Sequence, residues 1–253
     1  MSERTRICVL GSGGWIPTER RETCCVLLVK GRTGLVLDAG SGVRRLLDRP
    51  DLLSGVEELH IVLSHFHLDH LVGLGYLPAF PADRELVLWG PGRALYDAPT
   101  RAVLGRMFRS PFFTPGVRGL SERIRDLDEG ANHCNGITLV ARRQSKHAEP
   151  TFAFRIDDSV VYCSDTALDE GNVKLARGAS VLLHEAWTPE RSADATVHTS
   201  AREAAALARR AEAHELVLVH VNPFADEAAL LASARDEFPA TRLGTDLLTI
   251  DVH

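Results

Sequence analysis

Apolar residues cluster in short runs along the whole chain. The clearest are Arg6 to Leu10, Thr23 to Val29, Leu35 to Leu37, Leu59 to Leu63, Leu86 to Trp89 and Gly136 to Ala141. Further on come Thr151 to Ile156, Val160 to Cys163, Val181 to Leu183, Leu216 to Val219 and Leu247 to Val252. Runs of this length, rich in Val, Ile and Leu and bounded by Gly, Asp or Pro, read as strands. Gly31-Arg32-Thr33-Gly34 and Asp157-Asp158-Ser159 read as hairpin turns. Wider apolar spacing predicts helices at Val43 to Leu47, at 70–77, in the Ala-rich stretch Ala201 to Ala213, and at about 226–237. Many strands with helices spread among them predict an α/β (α+β) fold, a two-sheet core flanked by helices. No repeat, low-complexity tract or interdomain linker interrupts it, so 1–253 reads as one domain.

One polar run follows the apolar strand 59–63 directly. In Ser64-His65-Phe66-His67-Leu68-Asp69-His70, four potential metal ligands fall within six residues. Imidazole and carboxylate suit zinc and similar borderline metals. On extended backbone His65 and His67 point the same way, while Asp69 and His70 come where Leu71, Leu74 and Leu77 predict a helix. The turn between strand and helix can therefore aim two pairs of ligands at two neighbouring metals.

The glycine-rich Gly11-Ser12-Gly13-Gly14 is a tight turn and not a dinucleotide fingerprint, since Trp15-Ile16-Pro17 stands where a helix would have to start. Asp38 ends the strand 35–37 and could cap the segment 43–47. The stretch 93–125 carries seven arginines against Asp97 and Glu122, with Phe108, Phe112 and Phe113 interleaved. It reads either as a lid that recruits an anionic substrate or as a helix whose Phe side chains pack down onto the domain.

Composition narrows the classes. Hydrophobic content of 45% and charged content of 25% are ordinary for a globular chain. No apolar run is long enough for a membrane span, and the N-terminus lacks the apolar core of a secretory signal. The five cysteines are odd in number and mostly lie in strand-like runs, so they read as reduced, buried thiols of a cytoplasmic protein. Cys24 and Cys25 are predicted on opposite faces of one strand. A net charge of −5 argues against general nucleic-acid binding.

The run His65 to His70, with Gly73-Leu74 after it, resembles the HxHxDHxxGL signature of the metallo-β-lactamase superfamily. The resemblance implies that family's αββα sandwich of two mixed β-sheets. It implies two divalent metal ions, zinc first, with manganese or iron served by the same ligands. His65, His67 and His147 are assigned to one ion, Asp69, His70 and His220 to the other, and Asp165 to both. Asp38 is placed behind a ligand histidine, orienting it. Each ligand falls at the C-terminal end of a strand or in the following loop. A hydroxide shared between the ions is the implied nucleophile. Asp165 argues against the branch that uses a cysteine ligand, because Cys163 is offset by two positions.

Leu10-Gly11-Ser12-Gly13 with Pro17-Thr18, the box His184-Glu185-Ala186, and His198 before an Ala-rich helix together look like ribonuclease Z and its short relatives. In that group the histidine matching His198 protonates the leaving oxygen and the glutamate matching Glu185 orients it, while Asp69 takes a proton from the attacking water. His184, His60, His133, His214 and His253 read as structural or surface residues. The long arm with which true tRNA nucleases grip the tRNA elbow has no clear counterpart. The first expectation is therefore a phosphodiesterase acting on a small or cyclic anionic phosphodiester. A tRNA 3′ endonuclease comes second and a lactonase or thioesterase third. The resemblance also implies a homodimer.

Overall fold

The computed structural model describes residues 4–81, 83–113, 123–193 and 196–252. Period-two alternation sorts the strand residues into separate cores. Ile7, Val9, Cys24, Val26 and Leu28 share one core with Phe152, Phe154, Tyr162 and Leu183. The residues between them, Cys8, Leu10, Cys25 and Leu27, face a second core with Leu46, Leu53, Leu74 and Leu77. On the other side of the molecule, Ala153, Val161, Cys163 and Leu182 face a third core built with Ala204, Ala205, Leu207 and Leu230. Strands buried on both faces need apolar residues at consecutive positions, which explains runs such as Cys24 to Leu28. Cys24 and Cys25 lie in different cores, as alternation requires.

Three cores imply four layers, helix, sheet, sheet, helix. The first sheet has the order β14-β1-β2-β3-β4-β5-β6, from β1 (Thr5–Gly11), β2 (Cys25–Lys30), β3 (Thr33–Leu37), β4 (Glu58–Val62), β5 (Glu85–Gly90), β6 (Ile124–Asp126) and β14 (Leu248–Val252). The second has the order β13-β12-β11-β10-β9-β8-β7, from β7 (Gly130–Cys134), β8 (Ile137–Gln144), β9 (Thr151–Ile156), β10 (Val160–Cys163), β11 (Val181–Glu185), β12 (Glu215–Val219) and β13 (Thr241–Leu243). The strands β3 to β6 are parallel, and so are β10 to β13. Their C-terminal ends therefore open at one edge in each sheet. The order is two mixed sheets flanked by helices, in agreement with the expected fold class.

Among the helices, α1 (Arg45–Asp48), α2 (Gly92–Tyr96) and α3 (Thr100–Met107) accompany the first sheet. Beside the second sheet lie α4 (Gly171–Leu175), α5 (Ala201–Arg210) and α6 (Glu227–Glu237). The start of α5 is fixed by a capping box, in which Ser200 accepts from Glu203 N and the Glu203 side chain accepts from Ser200 N. Its alanines 201, 204, 205 and 208 are buried, so the helix lies close to its sheet. Among the described residues no helix is long and apolar enough to cross a membrane.

The structure corrects several elements. The helix expected at 70–77 is two 3₁₀ segments, Leu68–His70 and Val72–Ala79. Pro78 interrupts the helix ladder there, and Gly73 is pressed against the β3 loop, where an added Cβ would lie 2.1 Å from Gly40 O. The helix expected at 43–47 starts as a 3₁₀ turn, Ser41–Arg44, before α1. Within 93–125, Phe108 is buried and meets Phe113 edge-on at 5.3 Å. The expected lid also covers 114–122, which lies outside the described residues.

Candidate metal centre

The residues singled out in the sequence converge at the open edges of the two sheets. His65 and His67 leave β4, His147 leaves β8, Asp165 leaves β10 and His220 follows β12. Glu185 is the last residue of β11. The ligand atoms of His65, His67, His147 and Asp165 lie within 4.8 Å of one another, and so do those of Asp69, His70, Asp165 and His220. Asp165 is common to both groups. Glu185, His198 and His220 form a third such group.

Hydrogen bonds turn three of the imidazoles, those of His65, His147 and His70, so that one nitrogen of each is left for a ligand. His65 Nδ1 is 2.9 Å from Ser64 Oγ, which is in turn 2.9 Å from Asp38 Oδ2 and 2.8 Å from Ser164 Oγ. His147 Nδ1 donates to Val197 O at 2.9 Å. His70 Nδ1 donates to Asp38 Oδ2 at 2.8 Å. The opposite nitrogens, Nε2 of His65 and His70, and Asp165 Oδ1 are buried and find no partner outside the cluster, and His70 Nε2 stands 3.2 Å from Asp165 Oδ1. Buried polar atoms are normally paired, so these atoms, turned towards one another at one spot, are what a cation would satisfy. Burial pulls the pKa of His65, His67 and His147 down, which favours the neutral form that binds metal. Burial opposes ionisation of Asp165, yet His220, His70 and His65 hold its carboxyl well below the usual range. His70 runs the other way. Burial disfavours its charge, but Asp165, Asp38 and Asp69 outweigh that and raise its pKa. A cation would take the place of that proton. The donor set of neutral imidazoles and carboxylates therefore fits divalent metal.

Asp38 is not a helix cap. The 3₁₀ turn behind it is preceded by Gly40 without a side-chain cap, and Asp38 accepts from Ser64 N, Ser64 Oγ, His70 Nδ1 and Tyr162 Oη at 2.6–2.9 Å. Tyr162 belongs to the second sheet, so this buried carboxylate ties both sheets to the ligand run. Asp38 (φ 56°) and His220 (φ 48°) both adopt left-handed backbone, which side chains other than Gly rarely take and which clusters at functional sites. A Cβ on Gly14 would lie 2.5 Å from the His220 ring, so only glycine leaves that ring its space.

His198 lies beside the cluster. Its Nδ1 is 2.8 Å from Glu185 Oε2, and Trp187 stacks on its ring at 4.2 Å and 14°. Burial, then the charge of Asp165, pushes the Glu185 carboxyl up. Thr166 N donates to Glu185 Oε1. A cavity of about 400 Å³ opens over these groups, lined by His67, Asp69, His147, Asp165, His198 and His220 together with Trp15 and Trp187. The described arginines of 93–125 are absent from its lining. Ser64, Tyr162, Trp15 and Trp187 received no role from the sequence. Only Ser64, next to the first ligand, carried a positional signal.

Residues 33–221 match the model of the beta-lactamase superfamily domain. The chain belongs to the metallo-β-lactamase superfamily. It lies in the ribonuclease Z-like branch. A ribonuclease Z of Synechococcus sp. is 29% identical, covering 98% of this chain and 96% of the relative. The uncharacterised protein ML1173 of Mycobacterium leprae is 30% identical, covering 92% of this chain and 83% of the relative. In three dimensions the metallo-β-lactamase fold protein YhfI from Bacillus subtilis superposes with a TM-score of 0.78 at 19% identity, over 98% of this chain and 100% of that one. A diphosphatase of the PhnP family superposes with a TM-score of 0.73 at 16% identity, over 98% and 97%. Membership makes the chain a metallo-β-lactamase-fold hydrolase, and the fold implies divalent metal ions.

Proposed function

We propose that this metallo-β-lactamase-fold hydrolase is a phosphodiesterase with two divalent metal ions, zinc first, acting on a small or cyclic phosphodiester. His65, His67, His147 and Asp165 would hold one ion, and Asp69, His70, His220 and Asp165 the other. When bound, such ions act as Lewis acids and bring the pKa of water towards neutrality.

The carrying observation is the Glu185–His198 pair, with Nδ1 of His198 2.8 Å from Glu185 Oε2 and its ring on the cavity wall. Cleaving a phosphodiester expels an alkoxide that needs a proton. A histidine held by a buried carboxyl supplies one, and general acid catalysis of this kind contributes typically 10²–10⁴-fold. Trp187 covers one face of the imidazole and limits its tilt. Asp69 lines the same cavity, with Oδ2 accepting from Trp15 N at 2.8 Å, and can take a proton from attacking water. Acyl hydrolysis has less use for an acid at this place.

His198→Ala should lower turnover of phosphodiesters by roughly 10²–10⁴-fold and leave lactone turnover far less changed. Equal losses on both substrate classes would remove His198 from the acid role. The ribonuclease Z relative, which matches over nearly its whole length, keeps tRNA 3′ processing as the second reading. The net charge of −5 and the lack of cationic side chains along the described cavity wall favour a smaller substrate, because phosphate-backbone binding draws mainly on Lys and Arg.

A further inference from the structure

We infer that Trp15 and Phe224 form a stacking platform for a flat heteroaromatic ring, such as a nucleobase, on the phosphate ester that enters the metal-site cavity. This rests on the phosphodiesterase reading and adds the organic half of the substrate. Trp15 is 58% exposed and Phe224 75% exposed. Their rings meet edge to face, 5.9 Å apart at 75°. Scattered exposed apolar residues need no account, but two large rings set against each other, one of them lining the cavity over the ligand cluster, do.

Trp15 is anchored to the site, and Phe224 meets it there through the indole. Trp15 lines the cavity, and its backbone N donates to Asp69 Oδ2 at 2.8 Å. The preceding Gly14 N bonds to Val221 O, next to His220. Trp15 is held at φ 63°, a conformation costly for a bulky residue unless its surroundings impose it. Phe224 follows His220 by four residues, in a turn closed by Phe224 N donating to Asn222 Oδ1 at 3.0 Å. The indole thus sits at a fixed offset from the residues that would hold metal.

Charge points the same way. The described lining contains imidazoles, carboxylates, tryptophans, Ala148 and Val197, with no Lys or Arg. The anionic part of a ligand would be met by cations, leaving the aromatic rings to recognise a part that is flat and uncharged. Stacking is suited to this, since every base has a π face and alanine substitution of such a platform costs about 1–3 kcal/mol per base.

Calorimetric titration of the manganese-loaded protein with adenosine 5′-monophosphate and with ribose 5-phosphate tests the platform. The nucleotide should bind about tenfold or more tightly than the sugar phosphate. Trp15→Leu and Phe224→Leu should each bring the ratio of the two affinities towards one, and the pair of variants guards against a local folding fault in either. Equal affinities in the parent protein, or a ratio that survives in both variants, would overturn the inference. Hydrolysis of bis(p-nitrophenyl) phosphate is followed in parallel. Its absence would sink the phosphodiesterase reading, while the affinity ratio judges the platform by itself.

Discussion

Asp38 shows how much of the site hangs on one side chain behind the ligands. It receives hydrogen bonds from Ser64, His70 and Tyr162, and through Ser64 it reaches His65. Carboxylates in this position fix the tautomer and orientation of metal-binding imidazoles. Asp38→Asn should weaken metal binding by about 10–100-fold, measured by competition with a chelator of known affinity. Unchanged affinity would mean that Asp38 serves packing alone. The run His65 to His70 was legible because ligand types at tight spacing after a buried strand are unusual, whereas His147, Asp165, Glu185, His198 and His220 stand apart in the chain and came from the family resemblance. Tyr162, Trp15 and Trp187 were not legible, because an aromatic residue in a β-rich chain has the same signature whether it fills a core or lines a cavity. Their roles come from cross-sheet distances such as that of Tyr162 Oη to Asp38, which local sequence does not encode.

Strand β4 carries the ligand run at its end and a different histidine in its middle. His60 is buried on the inner face of the first sheet, where Trp89 Nε1 donates to its Nδ1 at 2.9 Å. Burial, reinforced by Arg125 and opposed by Glu85, pushes the His60 pKa down to about 4, against the pull of Glu58 Oε1, which stands 2.9 Å from Nε2. The unfolded chain takes up this proton near pH 6.5. The folded value is the lower, so stability is fully present above about pH 6.5 and falls as the pH drops towards 4. The loss is on the order of 3 kcal/mol. Chemical denaturation across that window should show His60→Gln, which can still accept from Trp89 but cannot charge, losing less stability than the parent on acidification. Parallel slopes would exclude His60 as the source. Most strands were legible as apolar runs. The missed ones, β6, β7 and β13, are all sheet edges, where part of each strand is exposed and residues such as Arg125, His133 and Arg242 break the apolar pattern. The 3₁₀ path at 68–79 was hidden because its apolar spacing matches a helix, while Gly73 and Pro78 answer to packing and backbone.

At the scale of the whole molecule, two sheets bring the C-terminal ends of β4, β8, β10, β11 and β12 to one place. Ligands spread from His65 to His220 therefore share one cavity. The four-layer order was legible in outline from many strands with helices spread among them and from the family resemblance, and the runs apolar at every position agree with it, since they need cover on both faces. The depth and lining of the cavity were not, because they depend on how the loops 11–18 and 220–226 lie across it. On the proposed function, this cavity hydrolyses phosphodiesters through the residues clustered around Asp165. The most direct measurement is hydrolysis of bis(p-nitrophenyl) phosphate by the metal-loaded protein beside Asp165→Ala, with bound metal quantified in both. The parent protein should turn the substrate over and hold about two ions per chain, and the variant should lose both. Two bound ions with no turnover, or turnover that survives in Asp165→Ala, would contradict it.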